Sequence, residues 1–256
     1  MQPIQVHMFP CLSDNYGYLI HDAENDLTAA IDTPSAQAIE AGLSAKGWRL
    51  THIFNTHHHA DHAGGNLELK AATGCKIFGP RADARRIPGI DAEYGDGDTF
   101  MFGNHPVVVF DTPGHTTGHI VYYLPEDAVA FVGDTLFSLG CGRLFEGTPK
   151  QMWNSLQKLM RWPGDTVLYC AHEYTQANAR FALTIEPGNP ALVARSRAVD
   201  GLRARNEPTV PSTLELEKAT NPFLRPSSPE IQKAVGCDGN DLVEVFARVR
   251  ALKDQF

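Results

Sequence analysis

Hydrophobic positions in this chain follow one period in the first two-thirds and another in the last third. Early on, short apolar runs alternate with polar turns: residues 16–20, 27–32, 50–55, 76–78, 99–102, 107–110, 128–132 and 166–170. Runs of that kind bounded by Gly, Asn and Asp read as strands. The turn Glu24-Asn25-Asp26 joins the first two as a hairpin, and residues 99–102 and 107–110 form a second behind Asp96-Gly97-Asp98. Helical spacing interrupts this pattern. Ser35 is a suitable N-cap for a helix through Lys46 ended by Gly47; another helix is expected over 66–72, and a short helix or turn over 83–86. After His172 the strand signals fade, and residues 174–185, 191–206, 228–235 and 240–253 read as helices between Pro- and Gly-containing breaks. The pattern predicts a two-sheet α/β domain over 1–172 and a small helical domain over 173–256.

Composition narrows the setting. Of 256 residues, 43% are hydrophobic and 20% charged, ordinary values for a globular protein. No apolar run approaches the ~20 residues that a membrane-spanning helix needs. The N-terminus has neither the basic nor the apolar segment of a secretory signal, so a cytoplasmic setting is expected. The five cysteines are scattered without a C-x-x-C pair, as reduced thiols would be. Residues 173–256 carry 11 basic and 11 acidic residues, so the entire net charge of −8 lies in residues 1–172. An acidic domain is a poor nucleic-acid partner, but divalent cations would offset part of its charge. All 11 histidines lie at or before residue 172, which places metal chemistry in the same region.

The densest polar cluster is Thr56-His57-His58-His59-Ala60-Asp61-His62, directly after the 50–55 strand. In an extended chain alternate side chains share a face, so His57, His59 and Asp61 can address one site while His58 turns away. A turn at Asp61-His62 can then swing His62 toward a second point. One tetrahedral zinc could not use all of these groups, so the spacing suits two metals. Three further strands end in His115, Asp134 and His172, each a metal-capable residue at a strand's C-terminal end. One such residue alone would read as a turn or a cap; together with the cluster they describe one rim.

The pattern H-x-H-x-D-H at 57–62 with His115, Asp134 and His172 resembles the metallo-β-lactamase superfamily. The resemblance implies an αββα sandwich with metals at its edge. More specifically, Thr56–Asn66, Thr112–Thr116, Gly133–Phe137, the segment 140–147, His172–Thr175, Thr220–Arg225 and Lys253–Phe256 resemble glyoxalase II, the hydroxyacylglutathione hydrolase family, over essentially the whole chain. That resemblance implies two divalent metals per chain, zinc above all, although such His/Asp sites also admit iron or manganese. It places His57, His59 and His115 on one metal, Asp61, His62 and His172 on the other, and Asp134 between them. His58 and His119 stay unassigned, either orienting ligands or simply packing.

The implied reaction converts S-D-lactoylglutathione to D-lactate and glutathione, the second step of methylglyoxal detoxification. A metal-bridged hydroxide would attack the thioester, with Asp61 and Asp134 as the catalytic carboxylates. No G-x-S-x-G elbow is present to supply a serine nucleophile. For glutathione the resemblance implicates Arg143, Tyr174, Arg250 and Lys253, the last two one turn apart on the final helix. Arg143 stands where the family often has Lys, and Phe145 where some members have Tyr, which puts the strength of glutathione binding in question. An iron-dependent dioxygenase acting on glutathione persulfide shares the sandwich but typically holds one metal and lacks this helical tail. The expected partner is a small glutathione thioester, with no nucleic acid or membrane and a monomeric chain.

Overall fold

The computed structural model describes residues 2–237 and 241–256, and the chain divides into two compact units. The first runs through Asp111 and adds Thr117–Gly133; the second is Thr112–Thr116 with Asp134–Phe256.

In the first unit, β1 (Gln5–Cys11), β2 (Asn15–Asp22), β3 (Leu27–Ile31), α1 (Ala36–Lys46), β4 (His52–Phe54), α2 (Ala60–Ala63), α3 (Asn66–Thr73), β5 (Lys76–Pro80) and β6 (Ala92–Tyr94) precede β7 (Thr99–Phe102), β8 (His105–Asp111), β9 (Ile120–Leu124) and β10 (Val129–Gly133). One sheet has the order β1-β2-β3-β4-β5-β6, antiparallel through β3 and parallel beyond it. β7 to β10 form an antiparallel meander. The two sheets meet through aromatic rings. Phe54 of β4 lies 5.5 Å from Phe102 and 5.4 Å from Tyr122, and Tyr18 of β2 lies 5.7 Å from Phe131. Complete burial of a ring such as Phe54 contributes about 2–3 kcal/mol, and that side chain is fully buried. On the other face of the first sheet, Ile39 and Leu43 of α1 and Leu69 of α3 pack with Leu19, Ala30, Ile53 and Ile77.

The expected α1 forms as its caps dictate: Ser35 Oγ accepts from Ala38 N, and Gly47 closes the helix at φ +69. The 50–55 strand is shorter than its apolar run suggests, with only His52–Phe54 in the ladder. Residues 81–86 form a 3-10 turn. Three strands escaped the pattern reading. β1 is a half-exposed edge strand containing Pro10, and β6 spans only Ala92–Tyr94. β9 is wholly buried but follows directly on the polar 111–119 segment.

The second unit contains β11 (Leu136–Phe137), β12 (Gly140–Cys141), α4 (Pro149–Leu159), β13 (Val167–Cys170), α5 (Thr175–Ile185), α6 (Pro190–Ala204), β14 (Ser212–Thr213), α7 (Leu214–Thr220), α8 (Pro229–Ala234) and α9 (Leu242–Gln255). The four expected C-terminal helices are present with ends shifted by one or two residues; the expected start at Asn240 lies outside the described residues. The pattern missed α4, with its Thr148–Gln151 capping box, and α7. It also missed the β11–β12 hairpin and β14, which hold two residues per strand; the expected strand over 166–170 is present as β13, and β14 pairs with it antiparallel. Phe223 joins the aromatic centre of this unit, 6.1 Å from Phe181 and 6.0 Å from Phe246. Among the described residues no helix is long and apolar enough to cross a membrane.

Candidate metal centre

The first unit supplies four of the expected ligands from one strand-to-helix turn. His57 and His59 are extended, and His57 Nε2 lies 3.0 Å from His59 Nδ1. The chain then turns into α2, which carries Asp61 and His62 on adjacent positions. Asp61 is therefore not the third member of the extended alternation. Its carboxylate lies beside His62, with Oδ2 3.6 Å from His62 Nε2, and the His62 ring is 4.0 Å from that of His57. Asn15 Nδ2 donates to both the Asp61 carboxylate (3.2 Å) and its carbonyl oxygen (3.3 Å).

Behind these ligands stands Asp32, which the sequence reading treated as the end of a strand. It is buried, has φ +57, and accepts from Thr56 N (2.7 Å), Thr56 Oγ1 (2.8 Å) and His62 Nδ1 (2.8 Å). Since the Thr56 hydroxyl donates to Asp32, its oxygen accepts from His57 Nδ1 at 3.0 Å. One carboxylate thus fixes the tautomers of two histidines, both of which present Nε2 lone pairs. The positive φ of Asp32 marks it as unusual in the structure, but the sequence shows only an Asp at the end of an apolar run. His119 stacks on His57 at 4.8 Å, and Gly133, at φ +48, leaves room for both His119 and Thr56. His58 faces away, as the alternation predicts: Nδ1 meets Asp83 Oδ2 at 3.1 Å and Nε2 meets Arg86 Nη1 at 3.1 Å.

The second unit gathers the other three. Asp134 is buried just past β10, with Oδ2 3.3 Å from His115 Nε2 and Oδ1 3.4 Å from His172 Nε2. Its two oxygens therefore address two different imidazoles, the arrangement a bridging carboxylate needs. His115 Nδ1 donates to the Arg143 carbonyl at 2.9 Å, which again commits Nε2 as the ligating nitrogen. A side chain at Gly142 would overlap the Asp134 carbonyl oxygen, so only glycine lets the segment after β12 pass so close. Imidazole nitrogens with their opposite N–H groups occupied, combined with carboxylates, are a donor set that fits divalent metals.

The residues expected at the substrate end also lie in the second unit. Arg250 is buried. Its Nη1 donates to the Cys141 carbonyl (2.9 Å), its Nη2 pairs with Asp254 (2.9 Å), and its guanidinium lies 5.0 Å over Phe223. Arg143 Nε approaches the same Asp254 oxygen at 3.5 Å, and Arg143 lies over exposed Phe145. Lys253 sits over Phe181 and Phe256. Burial pushes its pKa below the usual lysine value, and the charges of Arg250 and Arg143 push it further. Tyr174 stacks flat on His172 at 4.7 Å and is exposed. Two cysteines in this unit are held protonated by burial, Cys141 pushed up to about 11 and Cys170 to about 12.

Comparison with known proteins covers the whole chain. The family described as "Metallo-beta-lactamase superfamily" matches residues 29–172, and the one described as "Hydroxyacylglutathione hydrolase C-terminus" matches 173–256. A protein of Maricaulis maris named hydroxyacylglutathione hydrolase is 56% identical over 256 residues, covering 100% of both chains. The chain belongs to the hydroxyacylglutathione hydrolase family. One so named from Methylococcus capsulatus is 54% identical over 253 residues, 99% of each. Among solved structures, ETHE1 from Myxococcus xanthus superposes with a TM-score of 0.69 at 24% identity, over 98% of this chain and 90% of that one. At that identity it supports the fold alone: a metallo-β-lactamase domain followed by the helical C-terminal region of this family.

Proposed function

We propose that the protein hydrolyses S-(2-hydroxyacyl)glutathione thioesters, S-D-lactoylglutathione among them, releasing glutathione. The observation that carries this reading is the convergence of Arg143, Arg250 and Lys253 around Asp254, in the region matched by the hydroxyacylglutathione hydrolase C-terminus. A compact cluster of cations suits a peptide carboxylate. The full-length likeness to relatives bearing that enzyme's name supports the same conclusion. Residues 1–172 would then carry the metal ligands, and 173–256 most of the glutathione contacts.

His57, His59 and His115 form one proposed ligand set, Asp61, His62 and His172 the other, and Asp134 is shared; zinc is the proposed metal. A divalent pair held there supplies an acidified water at neutral pH and a positive charge for the thioester carbonyl oxygen. Asp61, steadied by Asn15, orients the attacking water. Asp32, through His62 and Thr56, holds the imidazoles in their ligating tautomers. The departing glutathione thiolate, with a pKa of about 8.5, needs little acid assistance. The protonated, buried Cys141 and Cys170 are unsuited to act as nucleophiles. Tyr174 and Arg143 contact the peptide part of the substrate. We place this chemistry in a cytoplasmic monomer. Thiol release from S-D-lactoylglutathione tests the activity directly; oxygen uptake with glutathione persulfide and no thioester turnover would overturn it in favour of a dioxygenase.

Arg250→Ala with Lys253→Ala is expected to raise KM for the glutathione thioester by about 10- to 100-fold and to change kcat far less, since the lost contacts serve ground and transition states alike. Steady-state kinetics with KM unchanged would remove this pocket from the scheme.

A pH effect follows from Lys253. Its pKa is depressed, so the ammonium loses its proton at a lower pH than a free lysine does, and an anionic substrate loses that attraction over the same interval. KM should therefore climb as pH rises toward the depressed value, and Lys253→Arg should flatten the climb because guanidinium stays charged. KM–pH profiles of the two proteins with the same alkaline slope would contradict the role given to Lys253.

A further inference from the structure

Beneath the cation cluster lies a buried polar network. Arg195 is 8% and Glu217 1% exposed, and the two are paired through Arg195 Nη2. The Glu217 carboxylate also accepts from Leu139 N (3.0 Å), Asn221 Nδ2 (3.0 Å) and the Ser212 hydroxyl. Arg195 further donates to Ser138 Oγ (2.7 Å) and Thr220 Oγ1 (2.6 Å). Asn221, fully buried, donates Nδ2 to the carbonyls of Phe137 (3.1 Å) and Gly140 (3.0 Å).

These bonds converge on the β11–β12 hairpin. Its turn is not self-supporting: Leu139 holds φ +60, an unfavourable region for a branched side chain, and the hairpin has only two residues per strand. The same hairpin presents the Cys141 carbonyl that anchors Arg250. A buried ion pair is a poor source of net stability, so its form calls for another explanation. Leu139 N, Ser138 Oγ and the carbonyls of Phe137 and Gly140 all belong to the hairpin, while Ser212 and Thr220 complete the bonding of the ion pair behind it.

We propose that Arg195, Glu217 and Asn221 are positioning residues for substrate recognition: by clamping residues 137–140 they set the Cys141 carbonyl that orients Arg250. This rests on the proposed role of Arg250 toward the glutathione carboxylate. The three residues act through Arg250 and do not themselves touch substrate.

Asn221→Ala removes the two bonds that hold the Phe137 and Gly140 carbonyls, leaving those at Ser138 and Leu139. With S-D-lactoylglutathione, KM should rise about 5- to 10-fold with kcat within about two-fold. With S-lactoyl-N-acetylcysteamine, which keeps the thioester and lacks the peptide carboxylates, kcat/KM should stay within about two-fold of the unsubstituted protein. In an Arg250→Ala background, Asn221→Ala should add less than about two-fold to KM, because coupled residues are not additive. Equal losses on both thioesters, or a full additional KM effect in that background, would reduce the network to a purely structural role and overturn the proposal. An Arg250→Ala protein with unchanged KM would overturn the assignment of the cation cluster and this proposal with it. An Arg250→Ala effect beside a silent Asn221→Ala would overturn the network alone. Should Asn221→Ala fail to fold, Ser138→Ala, which removes a single bond from Arg195, carries the same test at about two-fold in KM; an unchanged KM there would overturn the proposal.

Discussion

Asp134→Ala is expected to lower kcat for S-D-lactoylglutathione by at least about a thousand-fold, with metal content falling below two per chain and the fold intact. The two oxygens of Asp134 reach two different histidines, His115 at 3.3 Å and His172 at 3.4 Å. Alanine leaves those imidazoles with no anion to share, and neutral Asn would keep the shape while replacing one acceptor oxygen by a donor amide. Asp134 lies past the end of β10 and outside the aromatic contacts between the sheets, so the thermal midpoint of metal-free protein should move by only a few degrees, about what 1 kcal/mol produces. Metal analysis and kinetics on the same preparation separate lost binding from lost chemistry. A variant that keeps full turnover would end the case for a shared ligand.

The second large effect is expected at Asp32, which holds His62 Nδ1 at 2.8 Å. Removing its carboxylate strands three buried donors: Thr56 N, the Thr56 hydroxyl and His62 Nδ1. At about 1–3 kcal/mol for each unsatisfied group, partly relieved by water, Asp32→Ala should cost about 3–4 kcal/mol of stability. Alanine also has no local side-chain hydrogen bonds to support the left-handed backbone at φ +57. Asp32→Asn tolerates that conformation better and should lose less stability. Both substitutions free the His62 ring, and through Thr56 the His57 ring, to adopt the wrong tautomer. Metal affinity is therefore expected to fall about 10- to 100-fold in each. Denaturant unfolding of the metal-free proteins and competitive zinc titration report the two effects separately. Wild-type behaviour of Asp32→Ala in both would show that Asp32 supports neither the fold nor the ligands.

Much of the centre was legible because its chemistry is local. The H-x-H spacing places His57 and His59 together through the period of an extended chain, and the same period turns His58 away toward Asp83. The caps of α1 were equally legible, since Ser35 and Gly47 act on their own backbone. Elements held by distant partners were not. β1 is an edge strand that takes its regularity from pairing with β2, and α7 is a short helix whose Glu217 serves the network beneath the hairpin. Asp61 shows the limit of a period: the chain leaves the extended form at Ala60, so Asp61 joins His62 on a helix instead of following His57 and His59.

By itself, the sequence determined which groups are available: an alternating histidine motif, strand-end ligands, and two cations one turn apart on the last helix. Side-chain type and short-range backbone geometry are enough for that. Only the tertiary structure decided what each group does. It buried Arg250 against Cys141 and Phe223, where spacing alone says only that it lies one turn from Lys253. It aimed the two oxygens of Asp134 at separate imidazoles and set Asp32 behind Thr56 and His62. Burial, tautomer and hydrogen-bond partner all depend on residues far away in the chain, and no local pattern encodes them.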